Sequence, residues 1–393
     1  VYISASIDNL FNMSNKLGDL TAQNRWTRSR KTGLFGSIDL NYKDWAFLQL
    51  TARNDWTSLL DPANRSFFYP SVNASFVLTD AIPSLKSDAM NHWKMRASWA
   101  KVGTVNLEPY KLQTLAQVNY AFPYGTNTAY RLDTSLYSKD LKPEFTNEFE
   151  IGSEWGFFNN RITFEAAAYL QRTTNQTVPV AIPTSTGFSS RYINAGTMQG
   201  KGLEFDLHIN PIVKVGDFSF NLGLNATFVQ TKVVELAEGS EELNIEDQIG
   251  GGSSYGIYAI KGKAFPMIKA QDWARDPQGR VIVDAKTGLP QAGQMIEVGS
   301  TAPTVRIGIT PSFRYKNWRL NATFDYRGGH VFYSGLEMSN CFTGSSYLTT
   351  FAGRQRFVFP NSVYEDANGN YVENTDITVN TGDDGYWNGQ HRL

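Results

Sequence analysis

The chain has 393 residues, a formal net charge of −1, 19% charged residues and 13% aromatics. Charge this low, against the usual ~25%, and balanced to near zero excludes the basic field that gathers nucleic acid, so no nucleic-acid partner is expected. A single cysteine, Cys341, excludes an internal disulfide framework and a Cys-based zinc cluster, and it suits an oxidising compartment where spare thiols are a liability.

A strand-like pattern begins directly at Val1 with no signal peptide, so the chain is read as starting inside a longer protein. Similar segments begin near Leu34, Trp45, Phe68, Trp93 and Asn147. The next one shows the pattern in full: Ile162, Phe164, Ala166, Ala168 and Leu170 alternate with Arg161, Thr163, Glu165, Ala167 and Tyr169. From Gly202 to Pro211, Leu203, Phe205, Leu207 and Ile209 alternate with Glu204, Asp206 and His208. Phe218 to Phe228 repeats it, a further segment begins near Val305, and Trp318, Leu320, Ala322, Phe324 and Tyr326 close the series. Period two places successive side chains on opposite faces and predicts strands. One face is free of Asp, Glu, Lys and Arg between its ends. The other carries Asp39, Arg53, Asp55, Lys94, Arg96, Glu148, Glu150, Glu154, Arg306 and Arg314. No run approaches the ~18 apolar residues of a membrane-spanning helix. The segments match the ~9–11 residues of a tilted membrane strand instead of the 5–6 usual in globular sheets.

Connections alternate in length. Tight turns fall at Lys43-Asp44, Asn159-Asn160, Pro211–Asp217 and Lys316-Asn317, with a moderate one near Thr79–Asn91. Long links span Asn9–Thr32, Gly103–Glu144, Thr173–Gly200, Thr231–Ala302 and Val331 onward, Thr57–Phe67 being the short exception. Aromatics gather beside the tight turns (Tyr42, Trp45, Trp155, Phe157, Phe158, Tyr315, Trp318), where an interfacial girdle belongs. The fold class predicted is all-β: an antiparallel up-and-down transmembrane β-barrel, partial, with long extracellular loops. About eleven strands are legible, roughly half of a ~22-stranded plugged transporter. Pro311 falls inside a strand without an N–H for the ladder and predicts a bulge.

An ordered set of motifs goes further: Lys31-Thr32-Gly33-Leu34-Phe35-Gly36, Arg53-Asn54-Asp55-Trp56, Phe68-Tyr69-Pro70-Ser71-Val72, Trp93-Lys94-Met95-Arg96-Ala97-Ser98-Trp99, Leu141-Lys142-Pro143-Glu144, Phe149-Glu150-Ile151-Gly152, and Asn194-Ala195-Gly196 before Gly200-Lys201-Gly202-Leu203-Glu204. In this order they resemble the C-terminal half of SusC/RagA-like TonB-dependent outer-membrane transporters, from about Leu34 to Gly329. Gly103-Thr104-Val105-Asn106 departs from the family's Gly-Asn. The resemblance implies that residues 1–393 are part of one barrel domain, with the plug, the TonB-contacting segment and the last strands outside them. It implies outer-membrane localisation and TonB-dependent import of oligosaccharides or peptides. A SusD-like lipoprotein and TonB, the latter through the absent N-terminal region, are the implied protein partners, with outer-membrane lipid around the wall.

Enzymatic chemistry is not expected, nor a cofactor or metal. Glu148, Glu150 and Glu154 share a strand face as a hydrated wall would, as do Glu204, Asp206 and His208. His92, His330 and His391 have no triad partners in view. Gly250–Gly256 lacks the Lys-Ser/Thr ending of a phosphate loop, and Asp366, Asn368, Asn370 and Glu373 lack the glycine of a calcium loop. Loop aromatics are the candidate ligand- or partner-binding residues: Tyr124, Tyr130, Tyr137, Trp273, Tyr347 and Trp387, since aromatic faces suit sugar rings and protein interfaces alike. The segment before Asp276-Pro277-Gln278-Gly279 is expected to fold as its own hairpin. A soluble carbohydrate-binding β-sandwich and an outer-membrane adhesion or structural barrel remain the alternatives.

Overall fold

The computed structural model describes residues 26–124, 127–237, 239–247 and 255–379. The segment beginning at Val1 lies outside them. Period-two alternation becomes a run of long strands: β1 (Lys31–Tyr42), β2 (Ala46–Thr57), β3 (Ser66–Val77), β4 (Met90–Thr104), β5 (Glu144–Phe157), β6 (Ile162–Ala181), β7 (Ser190–Val215), β8 (Phe218–Glu235), β9 (Val305–Tyr315) and β10, which is split into Trp318–Asn321 and Phe324–Gly328. Each pairs antiparallel with the next, so spatial order follows chain order across a 12-stranded sheet. Among the described residues no pairing joins β1 to β10, and the sheet stays open. It is a single wall, not two packed layers, which removes the sandwich alternative.

The tight turns run through positive φ at Lys43 (51°) and Asp44 (58°), at Asn159 (55°) and Asn160 (61°), and at Gly216 (55°), where Asp, Asn and Gly are the types that adopt it most readily. Positive φ matches the right-handed twist of the strands that flank such turns. Asn41 reinforces the first, accepting from the Asp44 N–H at 3.0 Å.

Three expectations about the wall need correction. The Thr173–Gly200 link is mostly strand: β6 runs for 20 residues and β7 for 26, leaving 182–189 as the connection. Thr173, Thr174, Thr177, Val178 and Val180 favour strand, but polarity stops alternating where neither face meets lipid, and with it the sequence signal is lost. Likewise Pro211 does not open the turn. β7 passes it with a register shift between Ile209 and Val213 and continues to Val215. Pro311 produces no bulge. Its pairing with Leu222 of β8 sits in an unbroken register, so its missing N–H points toward β10. There the Ala322 N–H donates to the Pro311 carbonyl at 3.1 Å, no bond returns, and β10 splits at Ala322–Thr323.

At the long-loop end the loops fold on each other. Residues 236–304 hold a four-stranded sheet, Glu242–Asp247, Tyr255–Ile260, Met267–Trp273 and Ala292–Ser300, where a lone hairpin was expected. Val281–Ile282 pairs in parallel with Ser362–Glu365, which pairs with Tyr371–Glu373, so two segments far apart in sequence share one small core of Val281, Val283, Phe359 and Val379. No helix among the described residues is long and apolar enough to cross a membrane.

Candidate functional site

The register assigns every wall residue to a face. The pairings Glu150↔Tyr169↔Gly202 and Glu204↔Thr227↔Arg306 run along one face. Ile151↔Ala168↔Leu203↔Phe228↔Val305 runs along the other. Trp155, Phe164, Phe205 and Phe228 form a continuous aromatic row on the apolar face, with centroids 5.3, 6.3 and 6.3 Å apart.

The polar face is organised by ion pairs between strands. Arg96 of β4 stands at the centre of one group: its Nε is 3.1 Å from Glu150, and its Nη1 is 3.1 Å from Glu154 and 2.6 Å from Glu165. Lys94 adds a 3.1 Å contact to Glu154. Gly152 leaves the space in which the Arg96 guanidinium lies, because a Cβ there would stand 2.7 Å from Arg96 Cζ. A second group centres on Asp55, whose side chain is fully enclosed. It accepts from Tyr69 Oη at 2.7 Å and Arg53 Nε at 2.8 Å, with Lys31 Nζ at 3.0 Å. Motifs scattered along the sequence (Lys31 to Gly33, Arg53 with Asp55, and Tyr69) thus meet at one carboxylate. In both groups each carboxylate faces a cation.

The loop end is stapled to the wall by Asn194 of β7. Its Oδ1 accepts from the Lys142 N–H at 2.7 Å, and its Nδ2 donates to the carbonyls of Lys142 (3.0 Å) and Asn175 (2.8 Å). Leu141 beside it is buried, and Glu144 accepts from the Thr177 N–H at 3.1 Å. The motifs Leu141–Glu144 and Asn194–Gly196 stand apart in sequence, Lys142 lying 52 residues before Asn194, and nothing local signals that they bond to one another. A further contact without a local signal is Tyr192, stacked on Tyr137 with centroids 4.8 Å apart. Lys111 lies 4.9 Å from the Tyr137 centroid and 3.0 Å from Asp133. The hydrogen bond from Lys111 holds the Asp133 carboxyl below the usual carboxylate range.

The structure places the candidate aromatics in different settings. Tyr130 (68% exposed) and Tyr347 (87% exposed) stand free in solvent. Tyr137 is half-buried in the stack with Tyr192. Trp273 packs edge-on against Phe359, 4.9 Å away, in the loop core. Tyr124 lies at the end of a strand, Ala116–Tyr124, that pairs with Asn127–Leu132, and Trp387 lies outside the described residues. His208 is 2.8 Å from Asp206 on its own strand. Asp366 accepts from the Asn368 and Asn370 N–H groups, which closes a hairpin turn.

Residues 3–387 match the family described as TonB dependent receptor-like, beta-barrel. The chain belongs to that family. A TonB-dependent receptor of Formosa agariphila is 27% identical over 341 residues, covering 81% of this chain and 34% of that protein. The TonB-dependent receptor SusC of Bacteroides thetaiotaomicron is 25% identical over 349 residues, covering 83% and 34%. In fold the chain is similar to the RagAB peptide transporter, with a TM-score of 0.68 and 21% identity over 82% of this chain and 36% of that one. It therefore spans about a third of the length of the curated relatives it matches. Barrels of this family sit in the outer membrane, so the apolar face of this TonB-dependent barrel meets lipid and the ion-paired face lines the lumen. The family is one of receptors and transporters, not of enzymes.

Proposed function

We propose that this barrel segment belongs to an importer that takes up oligosaccharides or peptides in a TonB-dependent manner, with a SusD-like lipoprotein over its long-loop end. One observation carries this reading: a lumen face held by ion pairs across β4–β6 and backed by an uninterrupted lipid face, a wall shaped to enclose a polar path. Family membership and the fold likeness to a peptide transporter support it. Residues 1–393 are read as part of one barrel domain. Tyr124, Tyr130, Tyr137, Trp273, Tyr347 and Trp387 are the aromatic contacts offered to substrate or lid; of these Tyr130 and Tyr347 present exposed faces on loops held by a rigid wall, which suit both.

The test is uptake of fluorescent oligosaccharides and peptides by cells with and without the gene, with and without a protonophore. Loss of uptake on deletion and on de-energisation is expected. Uptake untouched by deletion would sink the proposal, and surface binding without energy-dependent entry would point to the adhesion barrel.

A further inference from the structure

The lipid face ends in cations. In β6 the outward residues Ile162, Phe164, Ala166, Ala168 and Leu170 are followed by Arg172. In β7 the apolar series Ile209, Leu207, Phe205, Leu203 is followed by Lys201 and Gln199, and in β8 the series from Phe218 to Phe228 is followed by Gln230 and Lys232. Register aligns these breaks. Asn147↔Arg172↔Gln199↔Lys232 is one row across β5–β8, and Lys201, paired with Leu170 and Gln230, stands directly beneath it. Neighbouring strands are ~4.8 Å apart, so the three cations lie within about 10 Å of one another.

All three are exposed, and among the described residues none makes an ion pair or a hydrogen bond through its side chain. Lys101, paired with Asn147, extends the row, but its Nζ rests 4.0 Å over the Phe145 ring. On this face of β5–β8 the first carboxylate is Glu235, three residues past Lys232 and about 10 Å from it along the strand. Beneath the row come Phe149 (52%), Leu170 (46%), Leu203 (47%) and Phe228 (42%), exposed apolar side chains that meet acyl chains in the membrane. A cationic row on top of an apolar band, at the loop end of the wall, lies at the depth of the outer-leaflet headgroups.

We infer that Arg172, Lys201 and Lys232, with Asn147, Gln199 and Gln230 as hydrogen-bonding neighbours, bind the phosphate-bearing headgroup of an outer-leaflet lipid whose chains lie along Phe149, Leu170, Leu203 and Phe228. Arg172 supplies a planar fork for phosphate oxygens and the two lysines supply point charges. Merely snorkelling cations would need no cluster; three unpaired ones in two adjacent rows, with no carboxylate among them, match an anion instead.

The intact protein, purified in mild detergent, is titrated with bis-phosphorylated lipid A, with the same lipid stripped of its phosphates, and with inorganic phosphate, and bound lipid is read by native mass spectrometry. The phosphorylated lipid is expected to bind at least about ten-fold more tightly than the stripped one, and combined Arg172→Gln, Lys201→Gln and Lys232→Gln to remove that difference. Lys43→Gln with Lys316→Gln, at the opposite end of the wall, should leave it intact. Equal binding of both lipids, or a triple variant that binds like the parent, overturns the inference. Displacement of bound lipid by millimolar inorganic phosphate overturns it too, by making this a free-anion site. Should the triple variant fail to assemble, the comparison of the two lipids on the parent protein decides alone.

Discussion

The phenol of Tyr69 donates to Asp55 Oδ2 at 2.7 Å, joining β3 to the carboxylate that Arg53 and Lys31 reach from β2 and β1. Three strands are therefore tied at one enclosed side chain on the lumen face. Tyr69→Phe removes one hydrogen bond to a charged acceptor and is expected to cost about 1.5 kcal/mol. Asp55→Ala strands all three partners and should cost more, about 3 kcal/mol, softened by the exposure of Lys31 and Arg53. Unfolding in urea from liposomes measures both. A Tyr69→Phe loss equal to that of Asp55→Ala would deny the carboxylate its central place.

Asn194 is the second staple. Asn194→Ala releases Lys142 and Asn175 and should free residues 105–143 without unfolding the wall. Amide exchange in that loop is expected to rise by about ten- to a hundred-fold, as for the loss of two or three hydrogen bonds. Exchange in β8 and β9 should stay as it was. Uniform acceleration across the sheet would contradict a local role.

The Lys111–Asp133 pair makes loop docking acid-sensitive. The Asp133 pKa is depressed in the folded protein, so its contribution is present above the unfolded value of ~3.9 and is lost as pH falls from there through the lower folded value. Protease cleavage within 105–143 should accordingly increase below about pH 4. In Asp133→Asn the loop should be cleaved more readily at neutral pH and show a weaker acid response. A parent loop as resistant at pH 3 as at pH 7 would refute the linkage.

Facing is testable by charge. Phe205→Arg places a cation against lipid near the midplane and is expected to cost about 2–4 kcal/mol, and Leu320→Arg, two residues from the girdle residue Trp318, a smaller amount. Asp206→Arg and Asn321→Arg alter only the lumen lining. Resistance of the folded barrel to SDS at room temperature separates the pairs, and equal assembly of all four variants would be incompatible with the register.

Orientation follows from the turns. Cys341 lies half-buried in the helix Gly335–Thr343, 3.7 Å from a Glu337 oxygen, so Tyr347 is the better reporter. In a Cys341→Ser background, Tyr347→Cys should react with an impermeant maleimide on intact cells, and Asn160→Cys only once the outer membrane is breached. Labelling of the thiol at position 160 from outside would reverse the barrel.

Sequence alone determined the wall strands, their faces and the tight turns at Lys43-Asp44 and Asn159-Asn160. These are local: a side chain at i and one at i+2 share a face whatever the strand pairs with, and a lipid-facing stripe must be apolar along its own length. The same logic explains where it failed. β6 and β7 continue beyond the membrane, where neither face meets lipid and alternation is not enforced, so Thr173–Gly200 reads as loop. Pro311 was correctly seen as a missing donor, yet only the pairing told which neighbour lacks the bond. Tertiary structure decided everything that depends on register between strands: that Lys31, Arg53 and Tyr69 converge on Asp55, that Asn194 holds Lys142, and that Arg172, Lys201 and Lys232 form one cationic row in a chain whose net charge is −1. Net charge sums over all residues and discards position, whereas a headgroup meets only the few side chains that pairing brings within its reach.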